Sequence, residues 1–196
     1  EAIDRRIAGP AKSSRQFTEH ERKSIAYHEA GHAVVGLFKK HSDKVQKITI
    51  IPRGNTGGHV LMTPEDDRLL YTKKELIARI TGLLAGRTSE EIFFDDISTG
   101  ASNDIEKATE LARKMITVYG MSDDFGFVNR EKTNNKYLIE RSSLDCPEET
   151  ANRIDSEMQR VITECYNKAF QLLSDHKATL DRIAGVLYDK ENLTGS

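Results

Sequence analysis

Apolar residues recur at helical spacing in five stretches of this chain, and the first two stretches are separated by a short run with strand character. Thr18 followed by Glu21 is a capping-box signature, and Ile25, Ala26, Ala30, Ala33, Val34 and Leu37 continue it as one apolar stripe. Thr72 with Glu75 opens a second helix through Leu76, Ile77, Ile80, Leu83 and Leu84, predicted to reach Phe94. Asn103 with Glu106 predicts a third helix start, with Ile105, Ala108, Ala112, Met115, Ile116 and Tyr119 on its stripe and Gly120 at its end. Pro147 suits a first helical position, and Ala151, Ile154, Met158, Val161, Ile162, Cys165, Tyr166, Ala169 and Leu173 carry a long fourth helix. A break over residues 174–177 separates a last helix bearing Leu180, Ile183, Ala184 and Leu187.

Strand signals are fewer. Val45, Ile48, Ile50 and Ile51 read as a strand ended by Pro52 and the turn residues Arg53, Gly54 and Asn55; Gly57 and Gly58 then lead into a second strand, His59 to Met62. A further hairpin is expected from Phe125 to Arg130 and Lys136 to Arg141. Residues 1–16 carry Pro10 and scattered charges without an amphipathic period, so they read as an incoming linker. The predicted class is α+β and helix-dominated: one domain over residues 17–196, with a small sheet or hairpins and a helical C-terminal segment.

Composition narrows the function. Lys plus Arg total 29 against 31 for Asp plus Glu, a formal charge of -2. No basic excess is available for a phosphate backbone, so nucleic acid is not an expected partner. No apolar run approaches the 18 or more residues of a membrane span, and the first residues lack the apolar block of a signal peptide. Cys146 and Cys165 have neither C-x-x-C spacing nor a disulfide framework, and both are expected to pack rather than react.

The candidate chemistry lies on the first helix. Residues 28–32 read His-Glu-Ala-Gly-His. At 3.6 residues per turn, His28 and His32 differ by about 40° around the axis, so both rings reach one metal ion, as on the active-site helix of a zincin. Glu29 lies about 60° from His32, placed to take a proton from a water at the metal. Ala30 and Gly31 are small where a neighbouring element can approach closely.

A catalytic zinc site needs a third protein ligand and an open position. The metzincin completion would place Gly and His three and six residues after His32, but Val35 and Phe38 stand there. His41 lies past the expected helix end and reads as a surface residue. The remaining donors are Glu75, Glu90, Glu91, Asp95, Asp96, Asp104, Glu106, Glu110 and His59, and chemistry alone does not choose among them. Asp104 follows a small polar loop, residues 98–103, that could approach another helix, yet its place in a first helical turn is equally accounted for by the helix dipole.

Four ordered segments together resemble the FtsH family: residues 26–34 (AYHEAGHAV), residues 50–54 (IIPRG), residues 84–87 (LAGR) with Glu90 and Glu91, and residues 98–104 (STGASND). Members of that family are membrane-anchored, ATP-dependent zinc metalloproteases that join an AAA+ ATPase module to a carboxy-terminal peptidase domain. The resemblance implies one zinc ion per chain held by His28, His32 and Asp104, with Glu29 as the catalytic residue. It further implies polypeptide substrates, a homo-hexamer, and a location at a membrane with the peptidase domain facing the bacterial cytoplasm or the equivalent side in an organelle. Residues 1–10 resemble the end of the ATPase lid entering the linker, and no G-x-x-x-x-G-K-[ST] phosphate loop occurs in the chain, so ATP would act only through the AAA+ module. Two readings compete with an active enzyme. One is an inactive zinc-stabilised oligomerisation scaffold; the other is a peptide-binding module that uses the strand edge at residues 57–62.

Overall fold

The computed structural model describes residues 17–52, 57–63, 70–126, 128, 131–132, 143–144 and 147–194. The linker over residues 1–16, the turn at Arg53 to Asn55, the second strand of the hairpin expected at Lys136 to Arg141, and Cys146 lie outside these residues.

Helix α1 spans Glu19–Phe38 and begins at the expected capping box: the Thr18 hydroxyl accepts from the Glu21 amide at 3.2 Å, and the Glu21 carboxylate accepts from the Thr18 amide at 2.9 Å. Helix α2, Lys73–Phe94, starts in the same way with Thr72 and Glu75. It stops at Asp95, which adopts the left-handed conformation. A one-turn 3-10 helix, Thr99–Ala101, leads into α3, Ser102–Thr117. The long α4, Glu148–Asp175, and α5, Lys177–Lys190, are separated at His176, where the chain was expected to break.

The start of α3 departs from expectation. Asn103 lies inside the helix and does not cap it; the preceding 3-10 turn is capped instead by Ser98, whose hydroxyl accepts from the Gly100 amide at 3.2 Å. The cap position of α3 is Ala101, two residues before Asn103, and the helix continues directly from the 3-10 turn, in which the Ser102 amide donates to the Thr99 carbonyl. Only part of the later hairpin falls within the described residues. There Phe125 and Gly126 form a turn where a strand was expected, and among the described residues β3, Glu131–Lys132, pairs with β4, Ser143–Leu144.

Strands β1, Lys44–Thr49, and β2, His59–Thr63, pair antiparallel with a bulge between Val45 and Lys47. A third strand, β5 at Asn192–Thr194, pairs antiparallel with the other edge of β1 and was not anticipated. Sheet order is therefore β2-β1-β5. One apolar core joins the buried face of α1 (Ala26, Ala30, Val34) to Ile48 and Ile50 near β1 and to Leu173, Leu180 and Leu187 of α4 and α5. A second joins Leu76 and Ile80 of α2 to Ala108 and Met115 of α3 and Val161 and Cys165 of α4. Among the described residues no helix is long and apolar enough to cross a membrane.

Helix α1 is thus packed between these elements, and its crossing with α2 is close. A Cβ placed on Gly31 would lie 2.5 Å from the Ala85 carbonyl oxygen and 2.7 Å from Ser89 Cβ. Because backbone has no rotamer to retreat into, Gly31→Ala should force the helices apart and cost about 1–3 kcal/mol despite alanine's better helix propensity. Urea unfolding measures this directly. A Gly31→Ala variant as stable as the parent would show that the crossing is looser than described.

Candidate metal centre

The α1–α2 crossing brings residues far apart in sequence to one point. His28 Nε2 and His32 Nε2 lie 3.0 Å apart, and Asp104 Oδ2 is 3.1 Å from the first and 3.4 Å from the second. Three donors at about 2.0–2.1 Å from a tetrahedral zinc ion stand roughly 3.3–3.4 Å from one another, so the cluster has the span of a metal ligand set. His28, His32 and Asp104 form the group of metal-ligating side chains that converge in this way among the described residues.

The outer nitrogens fix the tautomers. His28 Nδ1 donates to Glu90 Oε1 at 2.6 Å, and His32 Nδ1 donates to the Gly82 carbonyl oxygen at 2.7 Å. In the neutral rings each Nε2 is then left with a lone pair. Two lone pairs and a carboxylate oxygen facing one another at 3.0–3.4 Å repel unless a proton or a metal cation lies among them. The residues present therefore fit a divalent metal ion of imidazole and carboxylate preference. Electrostatics agree. Burial opposes a charge on His28, but hydrogen bonds to Asp104 and Glu90 and the charge of Glu29 outweigh it and lift its pKa to about 10. Burial likewise opposes ionisation of Asp104, yet the two imidazoles hold its carboxyl well below the usual carboxylate range. This point of the molecule favours added positive charge.

Glu90 ties the site together. Its Oε1 receives His28, while its Oε2 accepts from the Ser98 amide at 2.9 Å, at the entrance to the turn that delivers Asp104. Burial works against its charge, but the hydrogen bonds from His28 and Ser98 win and lower its pKa. Gly86 lies where no side chain would fit, since a Cβ there would stand 2.5 Å from His28 Nε2 and 2.6 Å from His32 Nε2. Neither role was assigned from sequence. Gly82 and Gly86, one helical turn apart in α2, were the available signal.

Glu29 points to the other side of the cleft. It is 6% exposed, and its Oε1 would meet a Cβ on Gly58, at the entry to β2, at 2.8 Å. Burial raises its pKa, while His28 and His32 pull in the opposite direction. A buried carboxylate of raised pKa beside this donor set is a better proton acceptor than an exposed one.

The other sequence candidates are used elsewhere. Glu75 caps α2, Glu91 accepts from the Tyr166 hydroxyl at 2.9 Å, Asp95 ends α2, and the Asp96 carboxylate accepts from the Ile97 amide at 2.8 Å. Glu110 pairs with Lys114 at 2.6 Å, and Glu106 is exposed on α3. His41 is exposed with φ of 70°. His59 lines the same cleft from β2 but does not belong to the converging donors. The cleft has a volume of about 1150 Å³ and runs along β2, α1, α2 and one face of α3 from Ser102 to Lys114.

A pair of imidazoles one helical turn apart, joined by a carboxylate from another helix and flanked by a buried glutamate in an open cleft, is the arrangement of helix-borne metallopeptidases. The family model described as Peptidase family M41 matches residues 15–196. This chain belongs to peptidase family M41. It is 46% identical over 197 residues to the ATP-dependent zinc metalloprotease FtsH of Acholeplasma laidlawii, covering 99% of this chain and 31% of the relative. It is 43% identical over 205 residues to the protein of that name from Bacillus subtilis, covering 98% and 31%. With the Pseudothermotoga lettingae protein it shares 43% identity over 199 residues, covering 100% and 32%. The chain thus spans about a third of the length of the curated relatives it matches.

Proposed function

We propose that residues 17–196 act as the peptidase domain of an ATP-dependent zinc metalloprotease, with one zinc ion held by His28 Nε2, His32 Nε2 and the Asp104 carboxylate. The observation that carries this reading is the convergence of three donor atoms within 3.0–3.4 Å while both Nδ1 atoms are engaged by acceptors. Zinc in such a site supplies Lewis-acid polarisation of a carbonyl and a water of lowered pKa. Glu29 takes the proton from the attacking water and returns it to the leaving amine, its raised pKa allowing both transfers. Glu90 and the Gly82 carbonyl hold the two rings in register. An extended substrate lies along β2, whose residues His59, Val60 and Met62 line the cleft with Gly58 at its entry, and whose outer edge has no paired strand among the described residues.

The three donors leave a position open for water and substrate, which favours catalysis over a purely structural site. The relatives' names support ATP dependence and polypeptide substrates; from the family resemblance we further propose a longer protein in which residues 1–16 are the end of an ATPase lid and linker, and six copies assemble at a membrane with this domain on the cytoplasmic side. Stripping the metal with a chelator should stop cleavage of unfolded casein, and titration with zinc should restore it, saturating at one zinc per chain. The melting temperature should rise with zinc in parallel, because the ion binds the folded chain. Casein cleavage that persists in metal-free protein would overturn the proposal.

A further inference from the structure

A second cavity, of about 480 Å³, lies where the end of α1, the start of α2, the last turn of α3 and α4 from Glu157 to Lys168 meet. It shares no lining residue with the cleft that holds the donor cluster. Buried Met115 and Val161 contribute its apolar part. The charge around it is unbalanced. Lys39 and Lys40 come from the end of α1, Lys73 and Lys74 from the first turn of α2, and Arg160 and Lys168 from α4; His41 lines it as well. Three carboxylates stand among them, and each is already matched. Glu157 accepts from Arg160 at 2.6 and 2.7 Å, Glu164 pairs with Lys168 at 2.5 Å, and Asp123 pairs with Lys73 at 3.4 Å. Lys39, Lys40 and Lys74 are left with no carboxylate partner among the described residues.

Two further observations set these lysines apart. Lys73 and Lys74 occupy a first helical turn, where the helix dipole opposes positive charge, whereas α1 and α4 place Glu19, Glu21, Glu148 and Glu149 there. Lys39 is half-buried, so solvent and salt screen it less than a fully exposed lysine. Charges of one sign around a confined space focus their field into it.

We propose that this cavity binds a compact polyanion carrying several phosphate groups, gathered by Lys39, Lys40 and Lys74. Lysine ammonium groups are point-charge donors that suit phosphate oxygens and lack the fork that arginine offers a carboxylate. They converge from separate elements on a space of small-molecule size, which fits a compact ligand and not an extended acidic peptide. The ligand ties the end of α1 to the start of α2, roughly 10–12 Å along each axis from His32 and Gly82. Nothing in this site depends on peptide hydrolysis.

Calorimetric titration of the zinc-loaded chain with inorganic triphosphate, at an ionic strength of about 0.15 M, tests the proposal. The parent should bind one triphosphate per chain, and a Lys39→Gln/Lys74→Gln double variant should bind it about 10-fold or more weakly. The double variant should still melt within about 2–4 °C of the parent when no anion is present, and Lys39→Arg/Lys74→Arg should keep the affinity. Because a phosphate chain also ligates zinc, Asp104→Ala is titrated beside them and should bind triphosphate as the parent does. Adenosine triphosphate distinguishes the sources: tighter binding than inorganic triphosphate places a nucleoside against Met115 and Val161, and weaker binding assigns the site to free phosphate chains. Equal triphosphate affinity in parent and double variant overturns the proposal. So does loss of binding in Asp104→Ala, or binding of hexaglutamate in place of triphosphate.

Discussion

Replacing Gly86 by alanine is expected to lower zinc affinity by about 100-fold or more and to remove peptidase activity with it, although the change adds a single methyl group. Helix propensity would favour the substitution by roughly 1 kcal/mol, so loss of function cannot be assigned to a weakened α2. The obstacle is the position of the methyl, 2.5 Å from His28 Nε2 and 2.6 Å from His32 Nε2. Neither ring has room to yield, because their far sides are held at 2.6 Å by Glu90 and at 2.7 Å by the Gly82 carbonyl. Zinc binding isotherms alongside circular dichroism separate the two effects: helicity should be retained while the isotherm shifts. Parent-like zinc affinity in Gly86→Ala would mean that the two imidazoles do not share a metal at this point.

Glu29→Gln should behave in the opposite way, keeping zinc and losing turnover. The carboxamide has the size of the carboxylate, so contact with Gly58 and the packing of α1 are preserved. Glu29 is not among the converging donors. What the substitution removes is a proton acceptor, and a positioned general base contributes about 10²–10⁴-fold to rate. Casein hydrolysis should fall by that factor at unchanged zinc content. Turnover within a few-fold of the parent would assign the proton transfer to another group.

The helices, their two capping boxes and the close crossing at Gly31 were legible in the sequence because each is written locally, in three or four adjacent residues or in one apolar stripe. The same holds for the His28–His32 pair, whose spacing is a property of a single helix. Asp104 was different. Physics alone left it level with eight other donors, since its approach depends on how α3 is delivered by the Ser98 to Ala101 turn and on Glu90 binding Ser98 and His28 together. Only the family resemblance placed it. Strand β5 escaped for a similar reason: three residues, Asn192–Thr194, acquire their pairing from β1, more than 140 positions earlier, and carry no alternation of their own. The displaced start of α3 shows the limit of a capping pattern, because Asn103 and Glu106 have the right spacing but α3 had already begun from the 3-10 turn before them.

The fold explains why so few residues suffice. Helix α1 is buried between the sheet and α5 on one side and α2 on the other, so His28, Glu29 and His32 are carried by a rigid element and not by a loop. Such a support lowers the cost of holding ligands in place before the metal arrives. The completeness of the donor set then depends on α3 bringing Asp104 to the two histidines.

Zinc per chain, determined in parallel with casein hydrolysis for parent, Glu29→Gln and Asp104→Ala, tests that dependence most directly. The account predicts one zinc and full activity in the parent, one zinc and little activity in Glu29→Gln, and loss of both in Asp104→Ala. Retention of zinc and activity by Asp104→Ala would contradict it.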